Sequence, residues 1–427
     1  MMALHVDTAQ GLSSLRHTAQ QGRSIFIWGA GNQGRGLFRA LDRLGIAAAG
    51  FIDKSPELQR SGALGRQVVA PEAFLRDAIS RDPRPFVIIA VFFFEREVSS
   101  QLDAGGMVKG HDYLAYTSIK PYDYAIDISG SCNLRCMSCP RARRPDKHPR
   151  EGFMTPEVFT QVLDKIIAED PLAGSVQLYQ WGEPLLNPRV AEIIGIANAR
   201  GIQTAVSSNL NSDRNLAEAV RAKPSWFRVS VSGWGADYEI THTGGSWESF
   251  HRNFLALAKL RREHNPDMKT EVYYHLYKHN QGAERRRVQQ LCEEAGFEFH
   301  PVYAYLISLD DVLEHLEGAP LPEAACKAAD MLALGLSEGM ERARKERAQE
   351  CLTLRCVHIN WDLSVSNCMM FFYPEGNRAV PNFLDVPLTN IVKNRASCAL
   401  CKRCMKQALH RYCSVYSTAT AADSGTP

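Results

Sequence analysis

The sequence predicts an α/β protein. Its core is a partial (βα)6 barrel, with a smaller parallel-sheet domain ahead of it and a small cysteine-rich domain behind it. Three observations predict this. Strand-like and helix-like segments alternate regularly from about residue 120 to 306. A Gly-x-Gly-x-x-Gly turn lies between a strand and a helix near residue 30. Of the 12 cysteines, three fall within eight residues (132–139) and seven within the last 77. The expected organisation is therefore 1–118, a parallel-sheet domain; 119–306, the barrel; 307–350, a charged helical connector; 351–415, the cysteine-rich domain; and 416–427, a disordered tail.

Composition narrows the class. With 45% hydrophobic and 22% charged residues over 427 positions, the chain can build a core, and global disorder is excluded. The longest apolar run, Phe86 to Phe94, has nine residues, against the ~20 needed to cross a bilayer. The opening MMALHVDTAQ shows no charged start followed by an apolar stretch, so a cytoplasmic location is expected. A net charge of +2 offers no attraction for nucleic acid or membrane, and neither is expected as a partner. Cysteines in such a chain point to metal or redox chemistry rather than disulfides.

The front domain reads strand Ser24–Trp28, helix Gly34–Leu44, strand Ala47–Ile52 and a buried strand Phe86–Phe92. Gly29, Gly31 and Gly34 occupy the turn, and Asp53 ends the next strand, 19 residues past Gly34. This order fits a Rossmann-like dinucleotide fingerprint. The glycines allow a tight turn and close phosphate approach, the helix N-terminus attracts an anion, and the acid meets ribose hydroxyls. The segment also resembles the small Rossmann domains ahead of sugar O-acyltransferases, which share the wording Gly-Phe-Ile-Asp found at Gly50–Asp53. Three readings stay open: a nucleotide or nucleotide-sugar site, NAD, or a docking fold.

Within the barrel, Tyr124–Ile128 is read as the first strand and Thr155–Ala168 as the first helix, opened by Thr-Pro. Strands Val176–Tyr179, Gln203–Ser207, Phe227–Val231, Thr270–Leu276 and Glu298–Tyr305 follow. Helices Pro188–Ala199, Arg214–Ala222, Trp247–Arg262 and Ala283–Ala295 alternate with them. Functional groups of such a sheet lie at the C-terminal ends of its strands.

Cys132, Cys136 and Cys139 lie at such an end, directly after YAIDIS, with Cys-x3-Cys-x2-Cys spacing. Three thiolates on one tight loop grip three corners of a cubane cluster and leave the fourth open. A structural zinc would want paired Cys-x2-Cys units. This loop in this setting resembles the radical S-adenosylmethionine (radical SAM) superfamily. Gln180-Trp181-Gly182-Glu183-Pro184 resembles the family's Gly-Gly-Glu-Pro motif, with Trp181 in place of the first Gly. Ser207-Ser208-Asn209 and Ser230-Val231-Ser232-Gly233 are similar to its next two strand ends.

The resemblance implies a [4Fe–4S] cluster on Cys132, Cys136 and Cys139 with S-adenosylmethionine on its open iron. One electron would cleave the sulfonium bond, and the 5′-deoxyadenosyl radical so formed would take hydrogen from the substrate. Gly182 and Glu183 would meet the methionine ammonium. Ser207, Asn209 and Ser230 would bond the carboxylate or ribose. An external one-electron reductant such as a flavodoxin or ferredoxin is implied.

The tail carries a second cysteine group. CVHINWDLSVSNC resembles the hairpin of SPASM/twitch auxiliary-cluster domains, with Leu363 where an Asp-Gly turn is usual. The expectation is one auxiliary [4Fe–4S] cluster on Cys356, Cys368 and two of Cys398, Cys401 and Cys404. Two clusters, or structural zinc, are the alternatives. The functional expectation is a radical SAM enzyme acting on a sugar or nucleotide-linked sugar by oxidation, elimination or rearrangement. The alternatives are peptide modification, a non-catalytic iron–sulfur or nucleotide-binding scaffold, and a nicotinamide-dependent dehydrogenase. The basic run 141–150 is read as a solvated loop or a clamp on an anion. Cys292 is read as a packed apolar residue.

Overall fold

Short apolar stretches bounded by glycine or charge build the first sheet of the computed structural model, which describes residues 8–78, 80–120, 122–143, 151–374 and 376–417. The chain divides into two units. The first is the described part of Met1–Asp123 with Leu163–Val176 and Ala197–Gln203. Its strands are β1 (Ile25–Trp28), β2 (Ala48–Ile52), β3 (Val68–Val69), β4 (Phe86–Ile89) and β5 (Tyr113–Ala115). They pair in parallel in the order β3-β2-β1-β4-β5. The order turns back between β1 and β4, which opens a crevice beyond their C-terminal ends.

β1 and β4 read IFIW and FVII because they are covered on both faces. Ile25, Ile27, Phe86 and Ile88 pack with Leu15, Leu37 and Leu41 from helices Thr8–Gln20 and Asn32–Arg43. Trp28, Val87 and Ile89 pack on the other face with Phe74, Val98 and Leu102 from helices Pro71–Ala78 and Glu95–Ala104. Thr8–Gln20, Pro71–Ala78 and Glu95–Ala104 were not predicted. Glu95–Ala104 buries only Val98 and Leu102, too thin an apolar stripe to stand out as a helical period. β4 ends at Ile89, and Phe92–Phe94 forms a 3-10 turn, not the strand end expected there.

The second unit is Tyr124–Val162, Gln177–Ile196 and the described part of Thr204–Pro427. The larger sheet contains β6 (Asp123–Ile126), β7 (Ser175–Gln177), β8 (Gln203–Ser208), β9 (Trp226–Val231), β10 (Lys269–Leu276) and β11 (Glu298–Tyr303). These six stand side by side in chain order, and β6–β7, β8–β9, β9–β10 and β10–β11 are parallel. On the β6 side the sheet continues into β12 (Cys356–Ile359), β13 (Val365–Ser366) and β14 (Arg378–Val380). β12–β13–β14 form an antiparallel meander.

Burial alternates along β9. Phe227, Val229 and Val231 are buried, while Trp226, Arg228 and Ser230 are half-buried. One face therefore packs, and the other lines the interior side of the sheet. In the β12–β13 turn, Leu363 itself takes the left-handed conformation (φ 69°) that a glycine would otherwise supply. The Leu363 amide bonds the Asn360 carbonyl, and the Leu363 carbonyl receives the Phe383 amide. Among the described residues, no helix is long and apolar enough to cross a membrane.

Candidate active site

The loop after β6 carries Cys132, Cys136 and Cys139, each half-buried. Its backbone is fixed from two sides. The Arg135 and Met137 amides donate to the Thr243 and Thr241 carbonyls, both at 2.9 Å. The Ser138 hydroxyl meets the Tyr277 hydroxyl at 2.9 Å, and the Ile307 amide bonds the Ser138 carbonyl. Thr241 is set in turn by Ser232, whose hydroxyl lies 2.6 Å from the Thr241 hydroxyl and 3.0 Å from His242 Nδ1. Ser232 belongs to the fourth-strand motif, so that motif supports the cysteine loop from behind.

The three thiols act on one another. Burial pushes the Cys132 thiol up to about 12, and Glu183 and Cys139 add to the rise. The Cys136 thiol is raised by burial, then by the charges of Cys139 and Cys132. Such a donor set suits a cationic centre that offsets the accumulated negative charge. No three cysteine sulfurs lie within 4.8 Å of one another among the described residues. Glu271, Glu298 and His300 do come within 4.8 Å, but the Lys269 ammonium pairs with both carboxylates.

Gly182 packs tightly against the backbone that leads into the cysteine loop. A Cβ there would sit 1.7 Å from the Ser129 carbonyl oxygen and 3.1 Å from that of Ser131. Asp127 anchors the same turn: its Oδ2 accepts from the Trp181 amide at 2.8 Å and its Oδ1 from the Gly182 amide at 3.2 Å. Burial pushes the Asp127 carboxyl up to about 6, against the pull of these amides. Gly182→Ala is expected to destabilise the protein by about 2–3 kcal/mol, as overpacking does, and to weaken S-adenosylmethionine binding at least tenfold. Urea unfolding and equilibrium dialysis measure the two effects, and unchanged values in both would refute the contact.

Glu183 is buried, and backbone already engages its carboxylate. Oε1 accepts from the Leu185 amide at 3.1 Å and Oε2 from the Asn209 amide at 2.9 Å. It thus ties the end of the second barrel strand to the end of β8, and burial raises its carboxyl to about 7. Asn209 Nδ2 reaches Asn133 Oδ1 at 3.0 Å and Cys132 Sγ at 3.9 Å. Gly182, Glu183 and Asn209 therefore gather beside Cys132. Ser207 and Ser230 are half-buried on β8 and β9.

At its start, 141–143, the basic run departs from its reading as a solvated loop or an anion clamp. Arg141 and Arg143 are buried. Arg141 donates to the Trp181 and Gly130 carbonyls, and Arg143 pairs with Asp311 and bonds the Ile307 carbonyl. Positions 144–150 lie outside the described residues. Trp181 stacks edge-on against Phe372, with ring centroids 5.1 Å apart.

In the first unit, Gly29, Gly31 and Gly34 form the β1-to-helix turn at the crevice. A Cβ on Gly34 would sit 1.8 Å from the Gly29 carbonyl oxygen, the close helix–strand approach that the fingerprint requires. The Asp53 carboxylate receives the Ala30 amide at 2.8 Å and the Ser55 amide at 2.9 Å, so it braces the glycine turn.

The tail cysteines gather around a cavity of about 260 Å³ lined by Cys351, Cys368, Cys401, Cys404 and Cys413. Burial raises the thiols of Cys368, Cys401, Cys404 and Cys413, and charges within the group raise each further. The Met370 amide donates to Cys368 Sγ at 3.5 Å. Cys398 lies next to Cys401. Cys356 is not among the lining residues: it is buried on β12, where its carbonyl accepts from Arg395. Cys351 and Cys413, outside the expected ligand set, are in the group. Tyr305, just past β11, bonds Cys413. Cys292 is buried on its helix.

Residues 126–280 match the family model described as the radical SAM superfamily. They form a radical SAM domain. Radical SAM enzymes take a [4Fe–4S] cluster and S-adenosylmethionine, and the donor set on the first loop fits that requirement. No curated protein matches the chain. Among solved structures, the chain is similar to native anSMEcpe with bound AdoMet (15% identity, TM-score 0.45, covering 70% of this chain and 92% of that one). It is also similar to Streptococcus suis SuiB bound to S-adenosylmethionine (14%, 0.42, 74% and 84%). A third is BtrN in complex with AdoMet and 2-DOIA (14%, 0.39, 70% and 92%). The radical SAM domain thus contains the cysteine loop, the Gly182 turn and β8 to β10.

Proposed function

We propose that this radical SAM enzyme abstracts hydrogen from a sugar or nucleotide-linked sugar. The observation that carries the cofactor site is the cysteine loop after β6, with Gly182 pressed against it and Asn209 beside Cys132. In this reading Cys132, Cys136 and Cys139 hold the cluster. When bound, the cluster and S-adenosylmethionine supply one-electron reductive cleavage of a sulfonium bond and a strong hydrogen-atom acceptor. The protein's part is positional. Asp127 and the Ser131 carbonyl, which accepts from the Glu183 amide, hold the Gly182 turn in place, while carbonyls of the 241–243 segment hold the cysteine loop. Asn209 presents its side-chain amide to Cys132 Sγ. Prearranged polar groups of this kind orient a ligand and limit access of water.

The sugar-linked substrate is supported by the Gly29–Gly34 turn at the reversal of strand order in the first unit, a setting suited to a nucleotide phosphate. The test is anaerobic reconstitution with iron and sulfide, reduction, and addition of S-adenosylmethionine. 5′-Deoxyadenosine is the expected product, with its yield raised by nucleotide-sugars. Its absence overturns the enzyme reading, and stimulation by peptides alone overturns the sugar reading.

A further inference from the structure

The half-buried face of β9 carries a cation that, among the described residues, makes no ion-pair contact with a carboxylate. Arg228 lies between Trp226 and Ser230 on the half-buried face. In register it stands opposite Ser207 on β8 and Glu271 on β10. The Glu271 carboxylate is turned to Lys269, and among the described residues no carboxylate comes within 4.0 Å of the Arg228 guanidinium. Instead the guanidinium lies 3.7 Å from the centre of the Tyr273 ring and bonds Tyr179. Its Nε is buried without a partner.

The rings that face it are neutral. Burial and the Arg228 charge hold the His275 ring down to about 3, so it stays uncharged. Burial keeps the phenols of Tyr179 and Tyr273 protonated. The nearby Lys269 ammonium and Glu271 carboxylate pair with each other, which leaves the guanidinium as the charge outside an ion pair, set among hydroxyl groups. A desolvated guanidinium with an unused N–H is an incomplete arrangement, and an entering anion completes it.

We propose that Arg228 anchors an anionic group of the substrate, a carboxylate or a phosphate, on the interior face of the sheet. This rests on the reading that the barrel holds the substrate. It adds that the substrate is anionic and that a planar, charged fork receives it. Tyr179 is the hydroxyl best placed to share the anion.

The test needs no turnover. The full-length protein is titrated calorimetrically with inorganic pyrophosphate and, separately, with succinate. One of them is expected to bind saturably, and Arg228→Gln to weaken that binding at least tenfold. A response to pyrophosphate identifies a phosphate group, and one to succinate a carboxylate. Arg228→Lys keeps the charge but loses the fork, and it is expected to weaken binding tenfold as well. It decides the matter if Arg228→Gln does not fold. No binding to the unsubstituted protein, or equal affinity in the variants, overturns the proposal. Formation of 5′-deoxyadenosine alongside either of those results leaves the enzyme reading standing. Arg228-dependent anion binding without 5′-deoxyadenosine overturns the enzyme reading alone.

Discussion

Cys136→Ala is expected to abolish 5′-deoxyadenosine formation, a loss of at least ~100-fold, and to lower iron from about 8 to about 4 per chain. The iron figure follows from four irons per cubane and two cubanes. The activity figure follows from ligand chemistry. Losing a group that merely orients a metal ligand costs about 10–100-fold in affinity or activity, so losing a ligand itself should exceed that. The fold around the substitution should persist. The loop is held through backbone amides of Arg135 and Met137 on the Thr243 and Thr241 carbonyls, and none of these bonds uses a cysteine side chain. Circular dichroism should therefore be unchanged while product and iron fall together. Cys292→Ala is the control: that thiol is buried on the helix Ala283–Ala295, and its removal should leave iron and product intact. Product equal to that of the unsubstituted protein from Cys136→Ala would remove the cysteine loop from the proposed site.

The parts legible in the sequence are those written locally. The alternation of strands and helices, the glycine turn and the cysteine loop each occupy one continuous stretch, and their periodicity or spacing is visible within a dozen residues. What escaped notice depends on partners far along the chain. Arg141 and Arg143 sit in a run that looks solvated, yet the carbonyls and carboxylates that bury them come from Gly130, Trp181, Ile307 and Asp311. Asp127 was passed over as part of a strand, although a lone acid in an apolar strand signals a buried acceptor that must find donors. Arg228 carried a similar signal: a cation in the strand WFRVSV must either pair or await a partner. The motif assigns Asp53 to a ribose, but not the brace its carboxylate forms with the local Ala30 and Ser55 amides. Leu363 shows the limit of turn rules, because contacts on both its amide and its carbonyl hold it where glycine is usual.

Cys368→Ala and Cys404→Ala are each expected to lower iron from about 8 to about 4 per chain, whereas Cys356→Ala should leave it near 8. The sequence alone favoured Cys356, which opens the hairpin; the cavity favours a different set. Cys368 and Cys404 both line the cavity, and besides burial the charge of Cys368 raises the Cys401, Cys404 and Cys413 thiols there. A cubane needs four ligands, and the cavity supplies five candidates without Cys356. The Met370 amide directed at Cys368 Sγ is a donor suited to a charged cluster sulfur. Electron paramagnetic resonance of the reduced protein separates the outcomes. Loss of one of two signals in Cys368→Ala, with both kept in Cys356→Ala, supports the cavity ligands. Loss of a signal in Cys356→Ala with iron unchanged in Cys368→Ala would return the assignment to the hairpin. Zinc bound alongside about 4 irons per chain in every sample would remove the auxiliary cluster while leaving the first loop's cluster standing, because the two cysteine groups share no residue.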